Sequence, residues 1–327
     1  MDDRALAGLN WGRSVLGPDA TIEPLAGDAS FRRYFRVRKD KQSWVLMDAP
    51  PDKEDVAPFL NVRDWLDDAG VRVPHLVAHD SELGFLMLED FGDITWALYV
   101  QDGHLARALF VDALQQLHRL QAKTPQFSLP AFDMARMRME CDLYLDWYLP
   151  LVAGHTPGKE ERDAFHAGLM PVLEELLGLP RTPVHLDYHS RNLMLPDGSV
   201  PLGVIDFQDA VTGPVTYDLA SLLYDCYQDY AEDERRRWSQ EFFETLPGGI
   251  QADFADFEVW HRALRLTALQ RHIKAIGIFA RLAHRDGKRQ FLCEIPLTRK
   301  HLCEEIEALS VSGSANSLLL MEPACWQ

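Results

Sequence analysis

The sequence predicts an α+β chain of two unequal lobes, a small antiparallel-sheet lobe over residues 1–92 and a larger helical lobe over residues 93–327. Three observations predict it. Short β-patterned runs dominate the stretch 21–88, helical periodicity dominates beyond residue 92, and 327 residues exceed the usual size of a single hydrophobic core.

The β-patterned runs are 22–25, 31–38, 44–47, a run around 76–79, and 85–88. Runs of that length predict an antiparallel sheet of about five strands. One helix interrupts it over 54–68, where Phe59, Val62, Trp65, Leu66 and Ala69 recur at helical spacing before Gly70 stops it. Residues 89–93 are too few for a flexible tether between independent domains, so they predict a hinge. Beyond them, amphipathic segments at 103–121, 132–148, 160–177 and 254–285 predict helices.

Composition narrows the function. With 47% hydrophobic and 25% charged residues the chain reads as ordinary globular protein. A formal net charge of -17 disfavours nucleic acid and anionic membrane as partners, because binding phosphate polyanions demands a basic footprint. Any anionic ligand must then be held by local groups and metal ions rather than by the global field. The N-terminus is acidic where a secretory signal would be basic, and no apolar run approaches the ~20 residues that span a bilayer. A cytoplasmic location is expected. The five cysteines are scattered and contain no C-x-x-C pair, which argues against a disulfide framework and against a zinc site.

The densest chemical signal is Val184-His185-Leu186-Asp187-Tyr188-His189-Ser190-Arg191-Asn192, with Asp206 fourteen residues further on. An Asp, four residues, then Asn is the spacing of a kinase catalytic loop. There the Asp accepts the hydroxyl proton and the Asn holds a magnesium ion. Residues 193–195 and 202–205 are β-like, and Pro196-Asp197-Gly198-Ser199 between them is a strong turn signal. The expected hairpin carries Asn192 on one leg and Asp206 on the other, so two oxygen ligands converge on one cation. A rival reading makes His185, Asp187 and His189 zinc or iron ligands of a hydrolase, but no second histidine-rich cluster supplies the remaining ligands.

The loop 26–30 lies between an apolar run and Phe31-Arg32-Arg33-Tyr34-Phe35-Arg36. It reads either as an ordinary hairpin turn or as a loop, with Gly27, Asp28 and Ser30, whose backbone N–H groups approach nucleotide phosphates. Arg32 and Arg33 are candidate phosphate neutralisers, or a solvated strand face.

Together the catalytic loop, Ile205-Asp206-Phe207-Gln208-Asp209 and Pro214-Val215-Thr216-Tyr217-Asp218-Leu219-Ala220 resemble the aminoglycoside phosphotransferase and choline kinase superfamily. The resemblance implies a bilobal protein-kinase-like fold and phosphorylation of a small molecule with ATP and Mg2+. It implies Asp187 as catalytic base, Asn192 and Asp206 as magnesium ligands, and 86–90, with Glu89, as the hinge beside adenine. By the same resemblance His185 and Asp218 brace the loop without touching substrate. Three stretches, 27–36, 45–51 and 270–282, are most similar to the anomeric N-acetylmuramate/N-acetylglucosamine kinases of bacterial cell-wall recycling. A small amino-sugar substrate is therefore expected. An aminoglycoside or choline-type acceptor, favoured by the bulk charge, is the alternative.

One departure stands out. Where the superfamily's third strand carries a phosphate-binding lysine, this chain has Met47, which leaves Glu54 or Asp55 without its expected partner. Either an arginine of the 32–36 strand takes over the phosphates, or the chain is a nucleotide-binding pseudokinase. Tyr188, Asp209, Gln270 and Lys274 are candidate substrate contacts, whereas Trp147 and Tyr148 read as core aromatics.

Overall fold

The computed structural model describes residues 2–25, 31–101, 107–311 and 315–324. The chain divides into two compact units, Met1–His104 with Leu193–Gln208, and Leu105–Asn192 with Asp209–Gln327.

The first unit is built on a five-stranded sheet of β1 (Thr21–Pro24), β2 (Arg33–Lys39), β3 (Gln42–Asp48), β4 (Leu76–Asp80) and β5 (Phe85–Glu89), in the order β1-β2-β3-β5-β4. Every pairing is antiparallel. The strands fall where the β-patterned runs predict them. An unpredicted helix, α1 (Asp3–Leu16), is started by the Asp2 carboxylate accepting from the Ala5 N–H. It contributes Ala5 to a core shared with Phe35, Val37, Leu46, Phe85 and Met87. The helix α2 (Ala57–Asp68) begins three residues later than its periodicity suggests, because Asp55 accepts from the Ala57 N–H and sets the first turn there. Its buried face is Phe59, Val62, Trp65 and Leu66, and the short α3 (Trp96–Gln101) comes after the sheet.

The predicted hairpin is present as β7 (Leu193–Met194) and β8 (Gly203–Val204), with Leu193 opposite Val204 and a 3-10 turn over Pro196–Gly198. It is built into the first unit. The Val204 N–H donates to the Arg72 carbonyl, the Leu195 N–H donates to the Ile94 carbonyl, and Phe207 packs on Phe59 with ring centroids 4.9 Å apart. Gly203 is required by this packing, since a Cβ there would lie 2.3 Å from the Phe91 ring.

In the second unit a two-stranded ladder of β6 (Arg181–Val184) and β9 (Val211–Pro214) stands among helices. They are α4 (Arg107–Ala122), α5 (Met134–Leu143), α6 (Lys159–Leu177), α7 (Tyr217–Leu223), α8 (Glu232–Glu244), the short α9 (Gly248–Gln251), α10 (Phe257–His284) and α11 (Ile295–Ala308). The long α10 is the axis of this core, burying Leu266, Leu269, Ile273, Ile276, Phe279 and Ala280. The predicted helix 132–148 resolves into α5 and a π-helix, Tyr144–Ala153. Tyr144 and Tyr148 are buried, and their hydroxyls donate to the carbonyls of Leu318, Leu319 and Met321, which makes them core residues. At the α5 to π-helix junction, α10 approaches so closely that a Cβ on Gly277 would lie 2.4 Å from the Leu143 carbonyl carbon. Among the described residues no helix is long and apolar enough to cross a membrane, and Cys141, Cys226, Cys293 and Cys303 form no disulfide.

Candidate active site

The segment that leaves β6 is held at almost every residue. Leu186 adopts φ 80, a left-handed conformation that costs a leucine roughly a kcal/mol or more and persists only where neighbours enforce it. Asp218, fully buried in the first turn of α7, enforces it: its two oxygens accept from the N–H groups of His185 at 2.7 Å and Leu186 at 3.0 Å. Burial nonetheless pushes the Asp218 carboxyl up to about 6, opposed by His185 and by those two amides. The His185 ring accepts the Asp187 N–H on Nδ1 at 3.2 Å. That nitrogen is thereby spent on bracing the loop, which removes it from the metal-hydrolase reading. Beyond the end of α7, buried Asp225 accepts from the N–H groups of Ser190 at 2.9 Å and Tyr227 at 2.8 Å. Asn192 closes the loop by donating its amide to the Asp187 carbonyl at 2.9 Å.

What this frame leaves available is the Asp187 carboxylate, which no donor among the described residues hydrogen-bonds. Burial alone would raise its pKa. Lys274 first, then His189, Arg271 and His185, outweigh burial and hold it below the ordinary carboxylate range. At neutral pH it is an ionised base in a partly desolvated, locally cationic setting.

The cations come from α10. Lys274 lies 3.4 Å from a Glu140 oxygen and 3.3 Å from the Tyr217 hydroxyl, and those two groups with Asp187 keep it charged against the cost of burial. Gln270 donates to the other Glu140 oxygen at 3.1 Å, and Arg136 donates to Glu140 at 3.3 Å. The expected substrate candidates Gln270 and Lys274 thus form one cluster with Glu140 and Tyr217 beside the base. Tyr188, expected among the substrate contacts, is corrected to a packing residue: its ring is fully buried and its hydroxyl donates to the Ala113 carbonyl of α4 at 2.9 Å. Asp209 is exposed.

Asp206 ends the hairpin in a left-handed conformation, φ 64, that a short polar side chain tolerates. It is exposed and accepts from the Gln208 amide at 2.7 Å.

On the nucleotide side, Gly27, Asp28 and Ser30 lie outside the described residues. Arg32 is half-buried. Arg33 carries carboxylate partners of its own, Asp48 through Nε at 3.1 Å and Nη2 at 2.6 Å, and also Asp2. Arg36 forks onto Asp90 and Asp93. Met47, between Tyr34 and Leu86 in the sheet, is fully buried. Glu54 accepts the Phe31 N–H at 3.3 Å. The Glu89 carboxylate is bound by Arg72, and its backbone N–H is donated to the His75 carbonyl.

Two participants have no linear motif, Asp225 and Glu140, and a third, Arg271, lies within the 270–282 stretch without being singled out there. Asp225 carries the one readable hint, since it and Asp218 bracket a mainly apolar stretch, 219–224, and must find buried partners.

The chain is similar to proteins of known activity along most of its length. The model of the phosphotransferase enzyme family matches residues 21–286. An N-acetylmuramate/N-acetylglucosamine kinase of Pseudomonas putida is 38% identical over 279 residues, covering 85% of this chain and 81% of that protein. One of Pseudomonas aeruginosa is 40% identical over 290 residues, covering 87% and 83%. Among solved structures, a choline/ethanolamine kinase family protein of Mesorhizobium loti superposes with a TM-score of 0.64 at 14% identity, covering 97% of this chain and 99% of that one. An ADP-bound aminoglycoside phosphotransferase superposes with a TM-score of 0.60 at 16% identity, covering 93% and 99%. Those two likenesses establish the kinase-like α+β fold. The match over most of the chain and the two close relatives go further, and this chain belongs to the phosphotransferase enzyme family.

Proposed function

We propose that this protein is an ATP- and magnesium-dependent kinase that phosphorylates the anomeric hydroxyl of N-acetylmuramate and N-acetylglucosamine. The observation that carries the reading is the Asp187 carboxylate, ionised and fixed at its backbone, in a chain 38–40% identical to kinases named for those two sugars.

In this reading the acceptor hydroxyl donates to the Asp187 carboxylate, which orients the oxygen for attack and takes its proton as the phosphoryl group transfers. His185, Asp218 and Asp225 keep the base from swinging away. Asn192 and Asp206 supply one carboxamide and one carboxylate, hard oxygen donors of the type magnesium takes. When bound, that ion neutralises charge on the transferring phosphates. Lys274 and Arg271 argue against a cationic acceptor, because a positively charged aminoglycoside or choline at Asp187 would be repelled by two neighbouring cations, whereas a neutral or acidic sugar would not.

The test is ADP release across a panel of free amino sugars, aminoglycosides and choline. Turnover with the two N-acetylated sugars, lost in Asp187→Asn, is expected. Turnover confined to the cationic compounds would overturn the reading.

A further inference from the structure

Arg271 lies on α10, one turn before Lys274, and keeps only 6% of its surface exposed. Its guanidinium carbon sits 5.3 Å from the centre of the Tyr217 ring, so one face of the group is stacked. The edge is another matter. Nε and Nη1 are buried without a hydrogen-bond partner, and no carboxylate among the described residues pairs with the group. Burial opposes its charge, while the carboxylates of Asp187 and Asp225 nearby sustain it. A fold that buries a permanent cation without a hydrogen-bonded anion bears a desolvation cost that stacking on one ring does not offset. Other arginines of this chain show the contrast: Arg33, Arg36, Arg72 and Arg265 each have a carboxylate.

We infer that Arg271 is an anion-recognition residue of the acceptor site, receiving an oxyanion of the reacting complex on its guanidinium edge beside Asp187. The inference rests on the kinase reading above for the identity of that complex. Two sources share the chemistry: the carboxylate that N-acetylmuramate carries and N-acetylglucosamine lacks, and the phosphoryl group in transit, common to both. A guanidinium edge suits either, since it offers parallel donors to paired oxygens.

The experiment compares the full-length wild type with Arg271→Gln and Arg271→Lys. It measures kcat and KM for both sugars, and calorimetric binding of each sugar and of inorganic phosphate. Thermal unfolding accompanies each variant. If the carboxylate is the ligand, Arg271→Gln weakens N-acetylmuramate binding and kcat/KM by about 10- to 100-fold and leaves N-acetylglucosamine within about threefold, with Arg271→Lys intermediate. If the phosphoryl group is the ligand, kcat falls by the same factor for both sugars, sugar binding is unchanged, and phosphate binding weakens. A variant that melts lower but binds both sugars and phosphate as the wild type does, with kcat unchanged, overturns the inference and leaves Arg271 a packing residue. Should the wild type phosphorylate neither sugar, the functional reading fails, and Arg271 is judged by the phosphate titration: equal binding by wild type and Arg271→Gln overturns the inference.

Discussion

At the scale of single residues, the site is an arrangement of carboxylates with divided tasks, Asp187 half-buried and Asp218 and Asp225 fully buried. Asp187 is kept ionised by cations and given no hydrogen bond to its side chain, whereas Asp218 and Asp225 spend theirs on backbone amides. Asp187→Asn is expected to lower kcat by about 10²- to 10⁴-fold with nucleotide affinity nearly intact, as measured by steady-state kinetics and nucleotide titration. Unchanged kcat in a folded variant would remove the base from the account. Asp218→Ala tests the brace. It deletes acceptors for two buried N–H groups, so we expect a stability loss of about 3 kcal/mol in denaturant unfolding, partly offset by relief of the strained Leu186. It should also lower kcat more than it raises KM. A variant with wild-type kcat would show that the loop holds its shape without Asp218.

At the scale of elements, α10 links the core to the site, because the helix that buries Ile273 and Ile276 also carries Gln270, Arg271 and Lys274. Its approach to the α5 to π-helix junction depends on Gly277. Gly277→Ala puts a methyl group against the backbone atoms of Leu143 and Tyr144, which cannot swing aside as a side chain can. A cost of about 2–3 kcal/mol is expected, read as a lower midpoint in denaturant unfolding. A variant as stable as wild type would contradict the close crossing. The same scale shows what was legible in the sequence. The strands of the first sheet, the 193–204 hairpin and the long helix near 254–285 were legible, because period-2 runs, a Pro-Asp-Gly turn and sustained helical spacing are local signals. The helix α1 was not, since the face it turns to the sheet mixes Trp11 and Leu16 with Ala5, Gly8 and Gly12, and the small residues break up the apolar stripe. Likewise the offset to Asn192 singles out Asp187, the proposed base, from the sequence, whereas Glu140 joins Gln270 and Lys274 only when α5 packs on α10. Tyr188 misled for the same reason: a polar-tipped aromatic beside the base looks like a substrate contact until α4 is seen to cover it.

At the scale of the whole molecule, stability and function draw on the same buried polar groups. His272 is fully buried, with Nε2 at 3.0 Å from the Tyr224 carbonyl and the His301 ring 5.5 Å away. Burial first, and then the neighbouring His301, depress its pKa well below 6.5. Below about pH 6.5 the unfolded imidazole therefore binds a proton that the folded one refuses. Stability falls with decreasing pH from that point, by up to about 1.4 kcal/mol per pH unit for this group. Unfolding midpoints of wild type and His272→Gln are expected to converge as pH drops from 7.5 to 5, because the glutamine keeps a donor for the carbonyl and does not titrate. A constant gap would assign the acid sensitivity elsewhere. The central claim joins the whole chain to one atom, the anomeric oxygen held at Asp187. It is tested most directly by comparing N-acetylglucosamine with its methyl glycoside, in which that oxygen is blocked and every other hydroxyl remains. The account predicts rapid ADP release and a phosphorylated product with the free sugar and none with the glycoside; equal rates for the two would contradict it.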